Sequence, residues 1–459
     1  MAGPERSHVI AQDLETVASD LYDSLFLQSL LQHASRSHSE SAHSADARVD
    51  ERSDWHRFLD GLCFLCDFKR AGKSVVSIGV EQGTCGAIFW ITTAELYQES
   101  TECHLREILH LLTKRSGESS SGCLTVAEVT RHSVERSKNR ISDYAKRLER
   151  LVTEEKLKFE GSVQCDRKMS PYRLFPCGVS SNSKEGAVIL FGIEAVLAEK
   201  ECPFSLCKAA YNFRHSSTYA LLKKPTESPT DDFRTSARHL VARLGHWQKT
   251  ATSTVLHTPA FLPIIRNAIV RSVQPPMLET TRLRLDKNLQ HLILRVFPTF
   301  RGSTMCDSLL ERVQKADSLI HWLRSAIANT KLKTKLHAEV TMLEYFHLKS
   351  MQFFDDDKYI ACSKASCHCC ALYFMYHLLQ TQKRPCHGNV WVQWTVPFWT
   401  GGVPINNLNM AILRRMTNTT REMSHASLLN GFCPRRRFES TIGVTTVKVG
   451  STRPSLDQH

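Results

Sequence analysis

His337-Ala-Glu339 and, further along, Cys367-His-Cys-Cys370 are the stretches whose reading decides the fold. The apolar run that follows His337 predicts a helix beginning there, with Glu339 in its first turn. Tyr359-Ile-Ala-Cys362 predicts a strand, and a second helix is predicted to start at the cysteines, with Ser366 placed to cap it. Cys367 and Cys370 lie three apart, so their side chains share a helix face. The positive end of that helix favours thiolates. One imidazole and two thiolates suit tetrahedral Zn²⁺, and three protein ligands leave a fourth position for water, the arrangement of a catalytic rather than a structural site. Glu339 is near the ion without being needed to hold it, and is free to carry protons.

This order of residue types is the layout of a zinc deaminase site. In such sites an activated water attacks the amine-bearing carbon of a base while the Glu passes its proton to the ring nitrogen and then to the departing ammonia. Cys63-Phe-Leu-Cys66 has the same cysteine spacing but lies in an apolar run without a histidine partner, and reads as helix core. Cys362 and Cys369 read as buried thiols beside the site, with Cys369 pointing away from it.

Three stretches carry a family resemblance: Tyr359 to Cys370, His337-Ala-Glu339 upstream, and Cys386-His-Gly388 downstream. Together they resemble the OTT-type deaminase-like proteins, mostly fungal members of the cytidine-deaminase-like superfamily. Leu59-Asp-Gly-Leu-Cys-Phe-Leu-Cys-Asp67 and Arg243-Leu-Gly245 are similar to its longer fungal members. The resemblance implies an α/β fold with a three-layer α/β/α core, a zinc cofactor and a nucleobase substrate within nucleic acid. It makes His337, Cys367 and Cys370 the ligands and Glu339 the proton shuttle. Two positions depart from the family pattern. Ser366 stands where a proline usually precedes the first cysteine, and Thr92-Thr93 ends the second core strand where an asparagine usually meets substrate. Thr92, Thr93, Ser366 and Lys335 are the candidate substrate-binding residues.

Composition supports a nucleic-acid partner, RNA or single-stranded DNA, because a net charge of +13 over 459 residues suits phosphates. Lys331, Lys333 and Lys335 enter the active-site helix, and Arg414-Arg415 and Arg435 to Arg437 are further basic clusters. Tyr359, Trp391, Trp394 and Trp399 are candidates for stacking on a base. The 16 cysteines show no small-domain spacing and no apolar leader follows Met1, which points to an intracellular protein, cytoplasmic or nuclear, without disulfides. No apolar run reaches the ~18 residues of a membrane span.

Residues 1–54 read as an amphipathic helix from about His8 to Gln32 followed by a disordered linker from Ala34. Residues 55–95 supply a helix and two strands around a Gly-Thr-Cys-Gly turn, as the first part of the deaminase core. Residues 96–330 form a mainly helical insertion, broken at its prolines, with a strand at Ala187 to Phe191 and a helix over Ser303 to Ala328. Residues 331–445 resume the zinc-binding core, including a strand at Asn389 to Val396 and a helix at Asn407 to Leu429, and 446–459 form a tail. The expected core is thus split by a long insertion, whose helices offer a surface for a protein partner. Two other functions suit parts of the pattern. One is a deaminase of free nucleosides or nucleotides. The other is an inactive, zinc-stabilised interaction protein, which the Thr92-Thr93 departure favours and Glu339 opposes.

Overall fold

The computed structural model describes residues 4–37, 53–69, 74–95, 97–114, 122–169, 181–223, 232–276, 289–302, isolated positions between 304 and 311, 334–395 and 407–429. In chain order its elements are α1 (Pro4–Ser37), α2 (Asp54–Cys66), β1 (Val76–Gly83), β2 (Gly86–Thr93), α3 (Gln98–Lys114), α4 (Gly122–Arg136) and α5 (Lys138–Met169). Then follow α6 (Ser181–Leu197), α7 (Pro203–Phe213), α8 (Ser217–Leu221), α9 (Asp232–Leu244), α10 (His246–Ile265), β3 (Ile269–Ser272) and α11 (Leu289–Val296). The last are β4 (Lys335–Leu336), α12 (Ala338–Leu348), β5 (Ile360–Cys362), α13 (His368–Tyr376), β6 (Trp394–Thr395) and α14 (Asn407–Leu429). The fold is mixed α/β, with helices dominating a small sheet. Among the described residues no helix is long and apolar enough to cross a membrane.

The chain forms two compact units, one of Met1–Asp50, Val75–Glu99 and Ile269–His459, the other of Glu51–Ser74 and Ser100–Ala268. The first unit holds a four-stranded sheet in the order β3-β2-β1-β5. β1 and β2 form a hairpin whose register runs from Val76 opposite Thr93 to Gly83 opposite Gly86. Its tight turn is completed by Gly86 at φ 134, a conformation closed to other residues. β5 joins the far side of β1 antiparallel, with Ser77 opposite Cys362. Side chains reinforce that ladder, since Ser77 Oγ donates to Ala361 O at 2.7 Å across 284 positions of sequence.

α12 packs on β1, β2 and β5. Its close approach depends on Gly79, where a Cβ would meet the Phe346 ring at 2.6 Å. α1 packs against α14 and spans the segment after α13: Tyr22 OH donates to Trp394 O at 2.8 Å, and Gln32 Nε2 donates to Gly388 O at 2.9 Å. Every residue from Leu21 to Gln32 is buried, so this stretch of α1 is enclosed on all sides rather than amphipathic with a solvent face.

The second unit is a helical assembly. α2 packs on α10, and Gly61 of α2 lies so close to Thr254 that a Cβ would meet its Oγ1 at 2.5 Å. The sequence reading grouped α2 with the two strands, whereas its partners here are helices of this second unit. At the end of α2 the buried Asp67 carboxylate faces Arg140 at 3.5 Å, and Arg140 also donates to Asp67 O at 2.7 Å.

Several expectations fail locally. Ala187 to Phe191 lies within α6 instead of forming a strand, because Ile189, Ile193 and Leu197 are buried at helical spacing while Phe191 is exposed. α10 runs through Pro259 and Pro263, which lie exposed on its surface. Ile269 to Ser272, expected to be helical, is the edge strand β3, parallel to β2. The strand expected over Asn389 to Val396 contracts to β6, which pairs with β4 in a separate two-stranded sheet. The linker from residue 38 to 52, most of Ser303 to Ala328, Lys331, Lys333, Trp399, Arg435 to Arg437 and the tail lie outside the described residues.

Candidate metal and proton-transfer site

α12 starts directly after His337, which is its N-cap residue in extended conformation, so the imidazole leaves the helix at its entrance. Glu339 lies in the first turn and is 3% exposed. α13 likewise starts directly after Cys367. The N-cap is Cys367 and not Ser366: the Cys367 sulfur accepts from Cys370 N at 3.4 Å, doing what an oxygen of Ser366 was expected to do. Ser366 is buried one position earlier, where its Oγ accepts from Arg384 Nη1 at 3.0 Å. The change of cap puts the sulfur at the N-terminal end of the helix, where the backbone N–H groups favour a thiolate.

The two helix entrances meet. His337 Nδ1 lies 3.2 Å from Cys370 Sγ and 3.6 Å from Cys367 Sγ. These three atoms form one of two groups of ligating atoms found close together among the described residues. Spacings of this order are what two soft sulfurs and a nitrogen on one tetrahedral ion require, and the donor chemistry suits zinc. Burial alone would suppress ionisation of Cys367. Hydrogen bonds from the Cys369 and Cys370 thiols and the adjacent His337 outweigh it and hold Cys367 well below the usual thiol range. Burial and then the Cys367 charge push Cys370 well above that range. Burial also opposes a charge on His337, but Cys367 and Glu339 more than offset it, and its pKa rises.

The surroundings fix these side chains. Trp394 Nε1 donates to Cys370 Sγ at 3.2 Å, and Cys362 Sγ donates to Glu339 Oε2 at 3.7 Å. Behind the site, Tyr373 OH donates to Glu344 Oε1 at 2.5 Å, and His377 Nε2 lies 3.1 Å from the same oxygen, bracing α13 against α12. Cys369 is buried beside the site, and its Sγ donates to Trp391 O at 3.8 Å. His387 is buried nearby, with Nδ1 accepting from Asn389 N at 3.1 Å. Burial, partly countered by Cys367 and Glu339, lowers its pKa. Trp394 and His387 were not singled out as site residues. The aromatic Trp394 was read only for base stacking, and Cys386-His-Gly388 only as a motif.

The remaining candidates lie in the same unit. Thr92 Oγ1 donates to Val273 O at 2.9 Å and Thr93 Oγ1 donates to Glu95 O. Both are buried, and each hydroxyl keeps acceptor capacity after donating its proton. Lys335 is exposed on β4, two positions before His337.

Residues 336–398 match the family model of the OTT_1508-like deaminases. The matched segment contains His337, Glu339, Cys367 and Cys370, and so carries both halves of the site into a cytidine-deaminase-like family. No curated protein and no solved structure matches the chain. The deaminase-like segment is thus linked to hydrolytic deamination in general, with a His-Cys-Cys group able to hold a metal.

Proposed function

We propose that this protein is a zinc-dependent hydrolytic deaminase acting on a cytosine or adenine base within single-stranded RNA or DNA. The observation that carries the reading is the convergence of His337 Nδ1 with the sulfurs of Cys367 and Cys370, beside a buried Glu339 that is not one of the three. His337, Cys367 and Cys370 would hold the zinc, whose contribution is to bring the pKa of water at its open position to about 7. With zinc held there, Glu339 would be placed to take the proton from that water, to deliver it to the ring nitrogen and to carry a proton to the departing amine. Cys362 steadies its carboxylate by a weak thiol hydrogen bond.

Substrate contacts follow from the same placement. Thr92 and Thr93 offer hydroxyl oxygens in place of the family's amide, Ser366 lies one residue before the first thiolate, and the exposed Lys335 is a phosphate contact. The net charge of +13 supports a polyanionic substrate over a free nucleoside. The β1–β5 ladder supports a core assembled from both sides of a long helical insertion, since it joins segments flanking that region. A three-layer arrangement of this core belongs to the same proposal.

Glu339→Gln tests the reading, because an amide cannot accept the water proton. The variant should keep its zinc and its fold and lose deamination of C- and A-containing single strands by about 10²–10⁴-fold, the usual worth of a general base. Equal activity in Glu339→Gln would remove this residue from the chemistry. Conversion of free nucleosides but not single strands would replace the substrate class. Silence of the wild-type protein on all of them would leave a zinc-stabilised interaction protein.

A further inference from the structure

The helical unit contains a second convergence of ligand atoms, independent of the cysteines. His104 and Glu107 lie one turn apart on α3, and His132 comes from α4. One ligand atom from each lies within 4.8 Å of the other two. The His104 side chain is 1% exposed, and its Nε2 stands 3.2 Å from Leu65 O. A carbonyl can only accept, so Nε2 carries the proton and Nδ1 is left with its lone pair. A ring nitrogen donating to a backbone carbonyl while its twin stays open is the usual state of a metal-ligating histidine.

His132 supplies the second observation. Its Nε2 is shut away from solvent and makes no hydrogen bond. Glu107 Oε2 lies 3.0 Å from it, out of line with the ring N–H direction, and the same carboxylate is 3.9 Å from His104 Nδ1. The two imidazoles stack with centroids 4.6 Å apart and planes within 19°, a contact that two imidazolium ions would not tolerate. Neutral imidazole is the form that binds metal.

Arg136 weighs against a cation. Its guanidinium donates to Ser100 O at 2.7 Å, lies over the Phe68 ring, and adds positive charge close by. Glu107 offsets that charge. With 57% of its side chain exposed, it can adjust to an ion without disturbing the core. Binding also asks the His132 ring to rotate out of the stack, since one ion cannot lie in the planes of two parallel rings. Its side chain is 32% exposed.

We propose that His104, Glu107 and His132 form a second metal site, which takes a divalent first-row transition ion such as Zn²⁺ on two nitrogens and a carboxylate oxygen, with solvent completing the shell. This donor set is a recognised one for zinc and its neighbours. The ion would tie α3 to α4, and through the His104 bond to Leu65 it would hold the end of α2.

The test uses the full chain, stripped with a chelator and titrated with Zn²⁺ and, in parallel, Co²⁺. Wild type should bind two equivalents of metal. His132→Ala should lose one, and Glu107→Gln should weaken the same one at least about tenfold, no less than loss of a supporting residue costs. Thiolate-to-cobalt charge-transfer bands should survive in both variants and vanish only in Cys367→Ala. His132 is the informative position because its partly exposed ring can be removed at less risk to the fold than buried His104. Unchanged stoichiometry and affinity in both variants would overturn the proposal and leave a stacked imidazole pair with a carboxylate beside it. So would a wild-type protein whose only metal shows thiolate bands. Metal without such bands, lost in His132→Ala, would support this site even if the cysteine site proved empty.

Discussion

Both Cys63-x-x-Cys66 and Cys367-x-x-Cys370 place two cysteines at i and i+3, and all four sulfurs are buried. They sit at opposite ends of their helices. Cys66 is the last residue of α2, where the carbonyl ends of the helix disfavour an anion. Burial, with Asp67 next in the chain, pushes its thiol up, beyond what the charge of Arg136 can offset. Cys367 precedes the first turn of α13 and accepts from its backbone, and His337 arrives from another helix entrance. Spacing alone therefore does not make a metal site. The group proposed to hold a metal adds a helix N-terminus and a ligand from a second element.

The strongest way to break this contrast is to exchange the losses. Cys367→Ala should abolish metal binding at the deaminase-like site, and with it deamination. Cys66→Ala should leave both unchanged, as metal analysis by mass spectrometry would record. Loss of metal in Cys66→Ala instead would erase the distinction.

A smaller effect is expected where α2 does hold a charge. Arg140→Met should destabilise the helical unit by about 3–5 kcal/mol in urea denaturation, because it leaves the buried Asp67 carboxylate without its cation. A change below 1 kcal/mol would mean that Ser74 Oγ, which donates to Asp67 Oδ1 at 2.7 Å, suffices.

Next comes the support of the other motif. Gly79→Ala should cost roughly 1–3 kcal/mol by forcing Phe346 and α12 off the sheet, and a metal titration should show weaker binding as His337 moves with its helix. Full stability in that variant would show that α12 has slack.

The smallest effect concerns protons in the interior around α2. His246 packs edge-on against Phe64, with centroids 4.3 Å apart. Burial first, then Lys249, Arg214, Arg140 and Arg243, hold its pKa well below 6.5. The unfolded chain binds a proton below about pH 6.5 that the folded chain refuses. The stability from neutral His246 is complete above that pH and falls on acidification, by about 1.4 kcal/mol per pH unit. His246→Phe should flatten the acid limb of a stability–pH curve by that slope, and an unchanged slope would place the protonation elsewhere.

How much of this could be read from the chain depends on range. α14 was legible to the residue, because its polar and apolar positions alternate over six turns without a breaker. The hairpin was legible because Gly-Thr-Cys-Gly marks its turn. Ala187 to Phe191 misled, because a short apolar run looks alike in strand and helix, and only the burial of Ile193 and Leu197 beyond it decides. β3 was hidden because a four-residue edge strand takes its identity from β2, 181 positions away where Thr92 meets Val273. At the site, residue types and order revealed the ligand set. The cap residue and the Trp394 bond to Cys370 depend on the backbone angles at Cys367 and on chain brought back by α1, neither of which is written locally.

The ladder between β1 and β5 also sets a timetable. Ser77 and Ala361 are 284 residues apart, so at a synthesis rate of about 5–20 residues per second the hairpin waits roughly 15–60 s on the ribosome for its neighbour. During that interval the outer edge of β1 offers unpaired amides and carbonyls along an apolar strand, an invitation to intermolecular pairing. The intervening helices, rich in local contacts, can condense meanwhile. Soluble yield in a cell should therefore respond to translation speed and to chaperone supply through this one edge.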